Sequence, residues 1–316
     1  MKHCKAPLAV ACTLITTLTI GACSFLPSDK DATSAETDSN PKKTATDTAE
    51  ETGQTAAKQS EAVDIKLYVF ECGNITVNDI SLFSPGVDEG KVKELTDSCY
   101  LIRHPKGDMI WDTGVSDQVG EAGISAVGGK IEMNVTHPLA EQLDDIDVSP
   151  EDIQYLGISH FHSDHTGNAN YFKNASLIIQ NEEYNAAFGP TPDQYGFNPT
   201  SYSALNRDKM TIIQGDHDVF GDGSVTVRRA TGHTPGHQML LVKLKNAGPI
   251  LLSGDLYHFT SNRTHKRVPS FNYNKEDTLA SMEKMEAFMD KTGTLLWIQH
   301  DKEHNATLKH SPEYYD

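Results

Sequence analysis

The chain has no long basic stretch. Its 316 residues carry 27 Lys and Arg against 44 Asp and Glu, a formal net charge of -17, and only His265-Lys266-Arg267 forms a short basic knot. Nucleic-acid partners are bound through clustered cations that meet phosphates, so the charge balance argues against them. The main apolar run, Leu8 to Ile20, is shorter than the roughly 20 residues a membrane-spanning helix needs. No repeat of solenoid period is visible and no linker interrupts residues 64–316, which therefore read as one domain. Cysteine is scarce: Cys4, Cys12 and Cys23 lie near the start, leaving Cys72 and Cys99 for the rest. Such a pair permits one disulfide in an oxidising compartment, or two buried thiols on neighbouring strands.

What the N-terminus does have is a three-part leader. Lys2 and Lys5 precede the apolar run, and the small residues Gly21 and Ala22 follow it, so residues 1–22 read as a signal peptide. Ile20-Gly21-Ala22-Cys23 resembles a bacterial lipobox, in which the cysteine becomes the acylated first residue of the mature protein. That makes membrane lipid, through acylated Cys23, an expected partner; each buried methylene of an acyl chain contributes about 0.8 kcal/mol to anchoring. Ser24 after the cysteine resembles outer-membrane sorting, so the expected location is the cell envelope. Residues 23–63 are Ser-, Thr-, Ala-, Asp-, Glu- and Lys-rich with almost no large apolar side chains, and read as a linker. A flexible linker of that length has a reach of about 35 Å.

From Asp64 onward short apolar runs alternate with turn signals. Strands are predicted at Ile65 to Phe70, Ser98 to Arg103, Met109 to Trp111, Tyr155 to Ile158, Ser176 to Ile179, Val225 to Arg229, Met239 to Leu244, Ile250 to Leu252 and Leu295 to Ile298. Helices are predicted at Pro138 to Asp144, from the cap Ser149 with Pro150 behind it, from Asn181, and from Asn274 to about Lys291. The last carries Leu279, Met282, Met285, Phe288 and Met289 on one face, a core stripe. Two strand runs with helices between and after them suit two sheets packed face to face with helices outside.

The decisive segment is His160-Phe161-His162-Ser163-Asp164-His165, directly after a predicted strand. Residues two apart on an extended segment point the same way, so His160 and His162 can meet at one ion while Asp164 and His165 turn to another. Imidazole and carboxylate donors suit zinc, and also iron, manganese or cobalt. Three more ligand types sit at strand ends: His233 in Thr231-Gly232-His233-Thr234-Pro235-Gly236-His237, Asp255 in Leu251-Leu252-Ser253-Gly254-Asp255, and His300 in Trp297-Ile298-Gln299-His300-Asp301. His104, His137, His217, His304 and His310 stand outside these blocks and read as structural.

In order and spacing the four blocks resemble the metallo-β-lactamase superfamily, over essentially all of residues 64–316. The resemblance implies an α+β chain in a four-layer αββα sandwich and a cofactor of two divalent metal ions, zinc first among them. It implies that His160, His162 and His233 bind one metal, that Asp164, His165 and His300 bind the other, and that Asp255 bridges them. Asp112, in Trp111-Asp112-Thr113-Gly114, matches a position that supports a ligating histidine from behind. His237 reads as structural in the loop presenting His233.

Class B β-lactamases lack the bridging aspartate, so Asp255 separates this chain from them. The local match is to N-acyl homoserine lactonases: Gly232-His233-Thr234-Pro235-Gly236-His237-Gln238, Gly254-Asp255-Leu256-Tyr257-His258, a loop with Pro269, the helix bearing Ser281, and His300-Asp301. One position departs. The best-known lactonases place a substrate-binding tyrosine three residues after the bridging aspartate, whereas here His258 stands there and Tyr257 comes one residue earlier. The expected activity is hydrolysis of a small-molecule lactone or related ester, with Asp164, Tyr257 and His258 as catalytic candidates. A glyoxalase II-like thioesterase and an inactive metal-binding envelope lipoprotein are the alternatives.

Overall fold

Both faces of the first strands are buried, and that decides the layering. The computed structural model describes residues 63–316; the leader, Cys23 and nearly all of the linker predicted from the sequence lie outside them. Eight strands, β1 (Lys66–Val77), β2 (Lys93–His104), β3 (Gly107–Trp111), β4 (Ile124–Ala126), β5 (Ile131–Asn134), β6 (Tyr155–Gly157), β7 (Ser176–Gln180) and β8 (Thr211–Ile213), form one sheet. Their order is β4-β5-β1-β2-β3-β6-β7-β8. The second sheet runs β13-β12-β11-β10-β9, from β9 (His217–Asp218), β10 (Val225–Arg229), β11 (Gln238–Leu244), β12 (Gly248–Leu252) and β13 (Leu295–Trp297). The helices are α1 (Leu139–Asp144), α2 (Ser163–Thr166), α3 (Asn181–Ala187), α4 (Thr260–His265), α5 (Lys275–Thr292) and α6 (Lys302–Asn305).

Side chains alternate across each strand, so every strand feeds two layers. Leu67, Val69, Tyr100, Ile102 and Trp111 face Val225, Val227, Leu240, Val242 and Leu252 to fill the space between the sheets. Their neighbours Tyr68, Phe70, Leu101 and Leu177 point outward under Leu139 and Leu143 of α1 and Ala186 and Ala187 of α3. On the far side Met239, Leu241 and Leu251 lie under Met282, Met285 and Met289 of α5. The result is the expected four layers. Helix α5 starts at Asn274, whose side chain accepts the Asp277 N–H at 3.0 Å, and stops at Gly293 in the left-handed conformation.

The sequence reading starts β2 at Ser98 and predicts none of α2, α4 and α6, and three further details differ from it. Strand β1 continues to Val77 through a bulge between Glu71 and Gly73, which brings Ile75 and Val77 to a separate apolar cluster beside the site. The turn capped by Ser149 stops after Pro150–Asp152, because Ile153 is already extended as it leads towards β6. Strands β4, β5, β8 and β9 were unmarked; each is four residues or fewer, too short for an alternation to stand out. Cys72 and Cys99 are joined in a disulfide across β1 and β2, with Cα atoms 5.8 Å apart. Among the described residues no helix is long and apolar enough to cross a membrane.

Candidate metal centre

Strands β6, β10, β12 and β13 end at one edge of the sandwich. Within the second sheet β12 and β13 pair in parallel, and β10 shares their direction through its antiparallel partner β11. The chain leaves each strand towards the same place, and His160, His233, Asp255 and His300 sit just beyond those ends.

Two groups of donors result. His160 Nε2 and His162 Nδ1 are 2.8 Å apart, and His233 Nε2 lies 3.2 and 3.1 Å from them. His165 Nε2 and His300 Nε2 are 3.3 Å apart, with Asp164 carboxylate oxygens 4.0 Å from each. Asp255 stands between: one oxygen is 3.3 Å from His233 Nε2 and 3.7 Å from His160 Nε2, the other 2.9 Å from His300 Nε2 and 3.3 Å from His165 Nε2. Nitrogens bound to zinc at about 2.0–2.1 Å in a tetrahedral set would sit roughly 3.3 Å from each other. The triangle of imidazoles is close to that spacing, so the residues fit a pair of divalent cations sharing Asp255.

The outer atoms fix how each imidazole presents itself. His162 Nε2 donates to the Tyr195 carbonyl at 3.1 Å and His300 Nδ1 to the Thr96 carbonyl at 2.8 Å, which turns the other nitrogen of each towards the cluster. His165 Nδ1 pairs with Asp112 Oδ2 at 3.0 Å. Asp112 also accepts the Ser159 N–H at 2.6 Å and the Gln299 side-chain N–H at 2.9 Å, and its backbone is held at φ 56°, an uncommon conformation for a residue with a Cβ.

Burial pushes the pKa of His160 and His233 well below the usual histidine value and that of His162 below it. Burial acts on His165 and His300 too, but there the Asp255 carboxylate outweighs it: His165 is raised well above its ordinary value, with Asp112 and Asp164 adding to the effect, and His300 is raised to about 9.

Each residue singled out in the sequence has a defined place. The seven ligand candidates converge as two groups. His258 is buried at the cleft floor, with Nε2 3.1 Å from Asp255 Oδ2 but in hydrogen-bond geometry with no group among the described residues. Tyr257 requires a correction: its hydroxyl donates to Glu286 of α5 at 2.8 Å, and its side chain does not line the cleft. The chain is extended at Tyr257, so adjacent side chains point opposite ways and only one can face the metals. His237 is structural, accepting the Asp255 N–H at 2.8 Å and donating to the Ala230 carbonyl at 2.9 Å, with burial pushing its pKa down to about 4. A Cβ at Gly254 (φ 49°) would stand 2.6 Å from that imidazole, so the turn carrying Asp255 needs glycine. Ser281 donates to the Thr231 carbonyl at 2.7 Å, tying α5 to the His233 loop.

Sequence reasoning missed Ser159, Gln299 and Asp97. Asp97 is buried beside His300, accepts the Val115 N–H at 3.0 Å, and its carboxyl is raised well above the usual range by burial. Ser159 and Gln299 stand just past strand ends and Asp97 lies inside β2, and a lone polar residue at either kind of place carries no signal of a tertiary role.

Above the ligands opens a cleft of about 590 Å³. Its floor is His162, Asp164, His233, Asp255, His258 and His300, and its wall is mainly apolar, including Ile75, Leu82, Phe83, Leu95, Met133 and Phe271. Among the described residues, no Lys or Arg lines it.

A family model described as the metallo-beta-lactamase superfamily matches residues 93–292. N-acyl homoserine lactonase AttM of Azorhizobium caulinodans is 30% identical over 266 residues, which cover 80% of this chain and 99% of that protein. AttM of Agrobacterium fabrum is 31% identical over 267 residues, again 80% and 99%. A solved N-acyl homoserine lactone hydrolase with the product N-hexanoyl-L-homoserine bound at its catalytic metal center superposes with a TM-score of 0.70 at 27% identity, covering 80% of this chain and 99% of that one. Ligand pattern, layer order and family match agree, and the chain belongs to the metallo-β-lactamase superfamily.

Proposed function

We propose that this protein is an N-acyl homoserine lactonase holding two zinc ions, exported and anchored to the cell envelope through acylated Cys23. The observation that carries the reading is the cleft: a floor of metal donors at one end, an apolar wall, and no Lys or Arg among the described residues that line it. A neutral lactone with an acyl tail matches both ends. A thioester with an anionic leaving group, as in the glyoxalase II-like alternative, finds no Lys or Arg to meet its charge. The complete ligand set speaks against an inactive binding protein, and the curated relatives are named as lactonases.

In this reading His160, His162 and His233 hold one ion, Asp164, His165 and His300 the other, and Asp255 both. Two divalent cations supply a water acidified towards a pKa of about 7 and polarisation of the ester carbonyl. The protein's own groups do the rest. His258, at the cleft floor, presents an N–H to the carbonyl oxygen as negative charge develops there. As a water adds to the carbonyl carbon, Asp164, on the cleft side of the second group, takes up the proton that water sheds and passes it to the ring oxygen as the ring C–O bond breaks, giving the acid and the alcohol. The new carboxylic acid ionises, so each turnover releases one proton.

That release is the test. Zinc-loaded residues 64–316 are expected to acidify weakly buffered solutions of acyl-homoserine lactones of several chain lengths, with a thioester and a β-lactam left intact and His160→Ala inert. Thioester turnover with inert lactones would overturn the lactone assignment. For the anchor, Cys23→Ser is expected to move the protein from the membrane to the soluble fraction; an unchanged distribution would contradict lipidation.

A further inference from the structure

Glu183 is an acid without a cation. It lies on α3, is 1% exposed, and has no Lys or Arg partner among the described residues. Burial pushes its pKa up to about 7. Burying an unpaired carboxylate costs free energy unless hydrogen bonds replace its lost water. Three do. Oε1 accepts the Phe161 N–H at 3.0 Å, and Oε2 accepts the Thr234 hydroxyl at 2.9 Å and the Gly236 N–H at 2.8 Å.

The donors come from two separate loops. Phe161 sits between His160 and His162, and Thr234 follows His233. All three imidazoles of the first group are therefore carried by backbone that one carboxylate grips, although 73 residues separate His160 from His233. The second loop presses close: a Cβ on Gly236 would collide with the Glu183 backbone nitrogen. The second group leans on a different carboxylate, Asp112, which pairs with His165 and accepts the Gln299 side-chain N–H, and on the Thr96 carbonyl at His300; Ser159 Oγ, 3.1 Å from His160 Nδ1 and 3.2 Å from His165 Nδ1, touches both groups.

We propose that Glu183 is a positioning residue for the first metal alone, a carboxylate clamp that sets the separation of the His160–His162 loop from the His233 loop. This rests on the dinuclear reading above and deepens it: the two groups of donors lean on different carboxylates, Glu183 for the first and Asp112 for the second. All three partners are donors, so the ionised carboxylate satisfies every one. A glutamine at this position keeps the volume, but its NH2 faces a donor on one side. Thr234→Val is milder, removing a single hydroxyl at nearly constant volume.

The test is chelator competition on the full chain, reading zinc content and the affinity of each ion. Wild type is expected to bind two. Glu183→Gln is expected to weaken one ion by about 10- to 100-fold, the range seen when a ligand's support is removed, and leave the other unchanged. Thr234→Val should weaken the same ion by a smaller factor. In a His160→Ala background, where the first ion is already lost, neither change should alter the remaining affinity. A purely structural role would lower the unfolding temperature and leave the ratio of the two affinities at its wild-type value. Equal weakening of both ions, or wild-type affinities in a folded Glu183→Gln, would overturn the proposal. If Glu183→Gln does not fold, wild-type affinities in Thr234→Val would do so. A wild type that takes up no zinc contradicts the dinuclear reading itself, before any variant is compared, and this inference with it.

Discussion

The two halves of the ligand cluster use the same side chain in opposite electrostatic settings. His160, His162 and His233 also face the Asp255 carboxylate, but burial, with the neighbouring imidazoles, outweighs it and favours their neutral form. His165 and His300 sit among Asp255, Asp112, Asp164 and Asp97, which favour the protonated imidazole. The first group offers free lone pairs to an incoming cation. The second must exchange protons for it, so filling the second site releases protons and its occupancy depends more steeply on pH. Asp255 belongs to both; His258, His300 and His165 overcome its burial and hold its carboxyl well below the usual range.

The comparison breaks most completely at the shared residue. Asp255→Asn replaces one oxygen by a donor, and lactone kcat/KM is expected to fall by about 10³-fold, the scale of losing a preorganised charge, with fewer than two zinc ions per chain. His258→Phe leaves both metal groups intact. It is expected to lower kcat by about 10²-fold at unchanged zinc content, with part of the loss recovered in His258→Tyr. Asp112→Asn sharpens the contrast: it removes the partner of His165 and should weaken the second ion by about 10- to 100-fold while sparing the first. Chelator competition would show the reverse of the pattern expected for Glu183→Gln.

The smallest effect is on the metal-free chain. His300 titrates at about 9 when folded against an ordinary 6.5. The stabilisation from its pairing with Asp255 is fully present below about pH 6.5 and is lost as pH rises through about 9. The unfolding temperature of metal-free protein should therefore decline across that window, and His300→Gln should flatten the decline. An equal slope in the variant would assign it elsewhere.

The floor of the cleft was legible in the sequence and most of its wall was not. His160, His162, Asp164 and His165 fall within six consecutive residues, and the other ligand candidates follow strands that sequence periodicity marks. The Met stripe of α5 was legible for a related reason, since a regular helix repeats its buried face. The wall draws on Ile75, past a bulge, and on Val127, Ile131 and Met133 around strands too short to show a period. Tyr257 and His258 could not be ranked without the backbone, because which of two adjacent side chains faces the metals depends on local phase alone. Glu183 falls in the first turn of the helix predicted from Asn181, where acids are common, and only tertiary structure brings it between two loops.

Anomalous scattering at the zinc edge from crystals of the zinc-loaded protein tests the central claim most directly. Two peaks are expected, one among His160, His162 and His233 and one among Asp164, His165 and His300, with Asp255 touching both. A single peak, or a second one away from Asp164, His165 and His300, would contradict the account.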